Sequence, residues 1–177
     1  MATESGYSLN DILAKGRNNM NKLVEIFLRW RTHRIGFHTD VQKMYNSIKL
    51  HPSHWCFQRY LWQESLDPCQ PPEENIIKTL IYGVKSSGNQ SEYGLRATAR
   101  LFKNQYPKVN EIITNDVYVD DCISGGSTIE IAQKFTDEIE HVLSHGDFTL
   151  KGITMTGQDP NETLSSDGET VSVAGLK

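Results

Sequence analysis

The chain has 177 residues and a mass of 20.1 kDa, a size for one domain, or one domain with a small lobe. With 37% hydrophobic and 23% charged residues its composition is that of a folded protein, not a disordered or collagenous one. No apolar run approaches the roughly 18–20 residues of a membrane span, and the net charge of −4 argues, taken alone, against a general nucleic-acid binder, which is usually basic.

In chain order, Ser8 to Asp11 predicts a helix start, with Ser8 as N-cap and Asp11 near N3, and Gly16 stops that short helix. A second helix is expected from about Asn19 to Arg31, where Met20, Leu23, Val24, Phe27 and Trp30 recur at helical spacing. Gly36 to Val41 reads as a short strand running into a turn or helix start at Gln42 to Ser47. His54 to Trp62 alternates and is aromatic-rich, which predicts another strand. Pro68, Pro71 and Pro72 mark the next stretch as a loop. An apolar segment, Asn75 to Gly83, precedes a helix expected from about Gln90 to Gln105. Gly94, Leu95, Thr98, Leu101 and Phe102 share its face, and the Tyr106-Pro107 step ends it.

Val117 to Val119 and Cys122 to Ser124 predict a tight hairpin with Asp120 and Asp121 at its tip. A helix follows from Thr128 to about His145, with Ala132, Phe135, Ile139, Val142 and Leu143 on one face. Phe148 to Met155 is the next strand. A polar loop and a last strand, Thr170 to Ala174, complete the chain. Without residues 1–35 and 51–80 the order is strand, helix, hairpin, helix, strand. That order predicts an α+β, ferredoxin-like (split βαβ) sheet with helices on one face.

Two adjacent carboxylates at a hairpin tip repel, and Asn-Gly or Asp-Gly would serve the turn better. A divalent metal relieves such repulsion, because Mg²⁺ is held by one or two carboxylates plus substrate phosphates. Asp is also an ordinary turn residue, which leaves a purely local role open. Asp40 adds weight to the metal. In the split βαβ order its strand neighbours the Asp120 hairpin, and three carboxylates at one place suit a two-metal site acting on a phosphate ester or anhydride.

These motifs resemble those of reverse transcriptases. Tyr118-Val119-Asp120-Asp121 is similar to the family's catalytic Y-x-D-D, and Asp40 followed by Tyr45 resembles its first catalytic motif. Tyr82-Gly83-Val84-Lys85-Ser86-Ser87 resembles the segment before the motif-B helix. His145-Gly146-Asp147-Phe148-Thr149-Leu150-Lys151 resembles the later Gly-Phe-x-Leu-Lys motif. With Ser8 to Asp11, Tyr60 to Trp62 and the C-terminal Asp167-Gly168 and Gly175-Leu176-Lys177, the pattern is similar to the BEL/Pao class of LTR retrotransposon.

The resemblance implies an RNA-directed DNA polymerase palm over 36–50 and 81–177, with partial fingers over about 1–35 and 51–80. It implies that Asp40, Asp120 and Asp121, assisted by the Val41 carbonyl, bind two Mg²⁺, with Mn²⁺ as a substitute. The partners would be an RNA or DNA template with its primer, and a dNTP. Tyr45 would sit under the sugar and disfavour ribose, Gly83 would admit the nucleotide or template, and Lys151 would lie near the triphosphate. Each of the three also has a plain structural reading: a core aromatic, a turn glycine and an exposed strand lysine. The chain departs from the family pattern at Gly88-Asn89, Tyr82 and Gly152, where Pro, Gln and Trp are common. The family's basic fingers strands, thumb and RNase H domain, expected in a parent polyprotein, have no counterpart in this sequence. The alternative is a non-catalytic remnant, or a host-recruited nucleic-acid-binding module on the same fold.

His51, His54, Cys56 and Cys69 fit no usual zinc-finger spacing, and Cys122 reads as a small buried residue. Three scattered cysteines and no charged-then-apolar N-terminus point to an intracellular location, cytoplasmic or nuclear. The charge is uneven. Residues 1–60 carry nine Lys/Arg and four Asp/Glu, and residues 61–177 carry nine and eighteen. An anion-binding side and a carboxylate-rich side fit that split.

Overall fold

The computed structural model describes residues 6–64 and 69–156. The expected polar loop from residue 157 and the last strand, Thr170 to Ala174, lie outside these residues. The chain is α+β, built on a four-stranded antiparallel sheet with the order β4-β5-β1-β6. These strands are β1 (Ile35–Gln42), β4 (Val117–Tyr118), β5 (Asp121–Gly126) and β6 (Thr149–Met155).

Alternation along β1 divides its side chains between two faces. Ile35, Phe37, Thr39 and Val41 are buried, whereas His38 and Asp40 are only half-buried. The buried face meets α4 (Ser87–Leu101), α5 (Pro107–Asn115) and α6 (Ile129–Ser144), which pack on one another, with α6 against β1, β5 and β6. Phe37 and Val41 share one core with Leu95, Ile112, Ile139 and Leu143, all at 1% exposure or less. Each such side chain contributes roughly 1.5–3 kcal/mol by leaving water.

α2 (Leu23–Trp30) lies against β5 and β4. Gly36 and Gly125 are register partners. A Cβ on Gly36 would meet the Trp30 indole, and one on Gly125 would meet the Ile35 carbonyl and His33. Gly36 therefore lets the end of α2 sit close to the strands, and Gly125 admits the segment that follows it. Arg29 fastens the helix: its Nε donates to Asp116 Oδ1 at 2.7 Å and its guanidinium to the Asn115 carbonyl. Ser124 Oγ donates to the other Asp116 oxygen at 2.8 Å. Asn21 Nδ2 donates to the Thr114 and Val117 carbonyls at 3.0 and 2.9 Å.

Several elements differ from expectation. α2 starts at Leu23 and buries Ile26 completely, while Met20 and Val24 of the expected stripe are 45% and 70% exposed. α1 (Leu9–Ile12) has the capping arrangement anticipated, with Asp11 accepting from the Ser8 amide and hydroxyl at 2.7 Å, but it ends before Gly16. His54 to Trp62 is not one strand. A 3-10 helix, Pro52–Phe57, comes first, and only Arg59–Trp62 (β2) is extended. Pro52 presets a helical φ at N1, and the His51 ring accepts from the Ser53 amide, capping the turn.

The expected proline loop includes β3 (Glu73–Ile76), which pairs with β2 in a separate two-stranded sheet. α4 begins at Ser87 rather than Gln90 and ends at Leu101, which is 82% exposed and not on the buried face. Pro107 both ends that region and opens α5 at N1; Val109, Ile112 and Ile113 bury its inner face. α3 (Met44–Ser47) follows β1 directly. Among the described residues no helix is long and apolar enough to cross a membrane.

Candidate functional site

The register of β1 against β5 places Asp40 opposite Asp121 and His38 opposite Ile123. Directly paired residues share a face, so Asp40 and Asp121 emerge side by side on the face opposite the helical core. The hairpin then brings Asp120 to them. Val117 pairs with Cys122 and Tyr118 with Asp121, which leaves Val119 and Asp120 as the turn. The tip is therefore Val119-Asp120, and Asp121 belongs to β5; the expected Asp120-Asp121 tip is displaced by one residue. Val119 supplies the reversal with a left-handed φ of 57°, a costly conformation for a β-branched residue. The Val41 amide donates to the Asp120 carbonyl at 2.8 Å and closes the turn onto the end of β1.

All three carboxylates are half-buried. Burial pushes the Asp120 carboxyl above the usual range; its own backbone N–H opposes this, and the Asp40 and Asp121 charges add to the rise. The site is a concentration of negative charge that one member resists joining. Asp121 finds a partner in His38: Nε2 lies 2.7 Å from Oδ1, with the two side chains only 13% and 17% exposed. Among the described residues, no group of three or more His, Cys, Asp or Glu side chains is gathered closely enough to share one ion.

Tyr45 lies close enough to Asp120 to feel its charge. Burial, then the Asp120 charge, then Tyr82 raise its phenol, and its ring meets that of Tyr82 edge-on at 4.5 Å. Lys151 is the register partner of Asp40 on the other side of β1 and is exposed. Val41 has its side chain in the core, at 1% exposure. Gly83 follows Tyr82 and is not among the residues that line the cleft beside Tyr45. It has a φ of 83°, and its carbonyl accepts from Asn10 Nδ2 at 2.7 Å. Cys122 is fully buried, and burial pushes its thiol far up, so it is no nucleophile.

A cleft adjoins Tyr45 and Val119. Lys15, Arg17, Lys85, Asn89 and the acidic Glu92 line it with them. Asn89 Nδ2 donates to the Arg17 carbonyl, and the Lys85 amide donates to Asn10 Oδ1 at 2.7 Å. These bonds hold the N-terminal segment on the start of α4. Sequence reasoning passes over both this basic cleft and His38. The only local signal for His38 is its two-residue offset from Asp40, which puts both on one face of a strand. No protein-family model matches the chain, and no curated protein matches it.

Proposed function

We propose that the chain is the palm and partial fingers of a reverse transcriptase of the BEL/Pao type. In this reading it performs template-directed nucleotidyl transfer to a primer 3′ end. The observation that carries it is the placement of Asp40 opposite Asp121 at the end of the β1–β5 pair, with Asp120 next to them in the turn and raised by burial and by the charges of both. The sheet order β4-β5-β1-β6 with crossovers through α4–α5 and α6 fits the general split βαβ plan and is compatible with a palm. Residues 36–50 and 81–177 would be palm, and about 1–35 and 51–80 partial fingers.

The donor set suits Mg²⁺, a hard cation that prefers carboxylate oxygens and completes its shell with water and phosphate. Bound at Asp40, Asp120 and Asp121 with help from the Val41 carbonyl, two Mg²⁺ would neutralise the charge that builds on the attacking and leaving oxygens. Mn²⁺ could replace them. The chain's own groups do the rest. Tyr45 would pack under the incoming sugar. Lys15, Arg17 and Lys85 in the adjoining cleft would attract the phosphates of a dNTP or the template strand. Lys151, beside Asp40, would add charge near the triphosphate. Gly83 would place the segment leading into α4, through its bond to Asn10. A thumb and an RNase H domain would belong to the parent polyprotein.

Single-nucleotide extension of a primed RNA or DNA template, with Mg²⁺ or Mn²⁺, tests this. Extension by the wild type that is lost in Asp120→Asn supports the reading. Equal signal from both proteins sinks it and leaves a non-catalytic remnant or nucleic-acid-binding module.

A further inference from the structure

The bond between His38 and Asp121 goes beyond the three-carboxylate motif. His38 and Asp40 alternate onto the same face of β1, and Asp121 lies directly opposite Asp40, so His38 and Asp121 are diagonal neighbours on that face. Their side chains are 13% and 17% exposed and meet at 2.7 Å. A carboxylate only accepts, so the hydrogen is on Nε2. Nδ1 is buried with no hydrogen-bond partner among the described residues. Asp121 therefore holds the His38 ring by its one bonded nitrogen, and the ring in turn fixes one Asp121 oxygen.

We propose that His38 is a positioning residue for the acidic cluster. By donating to Asp121 Oδ1 it sets the carboxylate rotamer and leaves Oδ2 to face a divalent cation beside Asp40 and Asp120. The inference rests on the reading of that cluster as a divalent-cation site. Partners that orient a ligand in this way commonly change metal affinity by roughly 10–100-fold when removed. His38 makes no contact with substrate in this scheme; it acts through Asp121.

Mn²⁺ titration of the purified chain, followed by the electron paramagnetic resonance signal of free Mn²⁺ at one fixed pH, tests it. Wild type, Asp120→Asn, His38→Leu and His38→Gln are compared. The expected result is binding that depends on Asp120 and weakens about 10-fold or more in His38→Leu. His38→Gln, whose amide can still donate to Asp121, recovers most of it. If His38→Leu does not fold, His38→Met, which also lacks a donor, makes the same comparison. Wild-type affinity in the variant without a donor overturns the inference alone. Equal weakening in His38→Gln also overturns it, because the donated bond is then not what matters. Mn²⁺ binding unaffected by Asp120→Asn overturns the cation site and the inference together.

Discussion

The Val41 amide donates to the Asp120 carbonyl at 2.8 Å, joining the last buried residue of β1 to the turn of the β4–β5 hairpin. This bond prolongs the β1–β5 ladder one step past the Asp40–Asp121 pair. The hairpin tip is thus drawn over the sheet edge, where Asp120 faces two charges of its own sign. The contact that assembles the cluster is backbone, so it survives changes of side chain at either position.

The turn that permits this bond is strained at Val119, whose φ is 57°. Val119 also packs against the core, so any truncation loses some burial. Ala keeps the left-handed penalty of roughly 1–2 kcal/mol, and Gly does not. Val119→Gly should therefore be more stable than Val119→Ala by about 1 kcal/mol, the reverse of the usual order in strands. Urea denaturation of the two variants measures the difference, and an Ala variant as stable as the Gly variant contradicts the left-handed turn.

Crowding Asp120 against Asp40 and Asp121 disfavours the folded, metal-free chain. Asp120→Asn removes one charge and keeps the shape. At neutral pH it should raise the thermal midpoint, by about 2–4 °C for each kcal/mol of repulsion relieved in a chain of this size. Mg²⁺ should raise the wild-type midpoint as well, equivalent to about 2.7 kcal/mol at a hundredfold excess over Kd. It should do much less for the variant. Differential scanning calorimetry with and without Mg²⁺ reads both effects, and a destabilised Asp120→Asn contradicts the repulsion.

Asp116 is 7% exposed and accepts from both Arg29 and Ser124. Arg29→Ala leaves this carboxylate buried with only the hydroxyl. A cost of about 2 kcal/mol is expected, within the range for a buried group that loses a charged partner. In an Asp116→Asn background the same truncation should cost at least about 0.5 kcal/mol less, since contacting residues couple. A double-mutant cycle by chemical denaturation checks it, and additive losses rule out the clamp.

Elements with long, consistent periodicity are legible in the sequence. α6 shows this: Thr128 caps it and accepts from the Ile131 amide, and Ala132, Ile139, Val142 and Leu143 are buried as their spacing requires. β1 and β6 lie where Gly36 to Val41 and Phe148 to Met155 are read as strands, although burial alternates only along β1. α5 escapes because Pro107 is read as a stop for the preceding helix, though it is equally a start, and only Val109, Ile112 and Ile113 mark its face. The aromatic run His54 to Trp62 misleads because alternation is a weak signal next to a proline that can seed a 3-10 turn. The meeting of Asp40 with Asp121 follows from topology. The tie between His38 and Asp121 depends on side-chain direction across two strands, which no spacing along one strand encodes.

The paired glycines under α2 carry a steric prediction. A Cβ on Gly125 would lie against the Ile35 carbonyl and His33, and backbone cannot step aside as a flexible side chain can. Gly125→Ala should cost about 1–3 kcal/mol through overpacking. Gly88→Ala, whose Cβ would find only the Tyr45 hydroxyl at 3.6 Å, should be close to neutral or slightly stabilising because it lies in α4. Thermal melts of the two variants rank them, and the opposite ranking would contradict the close approach of His33 and the Ile35 carbonyl to Gly125.

Glu92 gives the pH prediction. It lies on α4 with its side chain 13% exposed and its carboxylate 2.7 Å from Arg96. Burial pushes its carboxyl above the usual range, and the Arg96 charge only partly opposes this. The folded chain therefore binds the Glu92 proton more readily than the unfolded chain does. Between the ordinary carboxylate value, about 4.3 for Glu, and the raised folded value, the native state holds more protons. Stability from this group then rises as pH falls and is lost as pH climbs through the folded value. Glu92→Gln has no such proton to bind. Wild-type stability relative to Glu92→Gln should therefore increase as pH is lowered from 7 to about 4. Urea midpoints of both proteins across that range measure it. A relative stability that falls with acidification means that Arg96, and not burial, sets the state of this carboxyl.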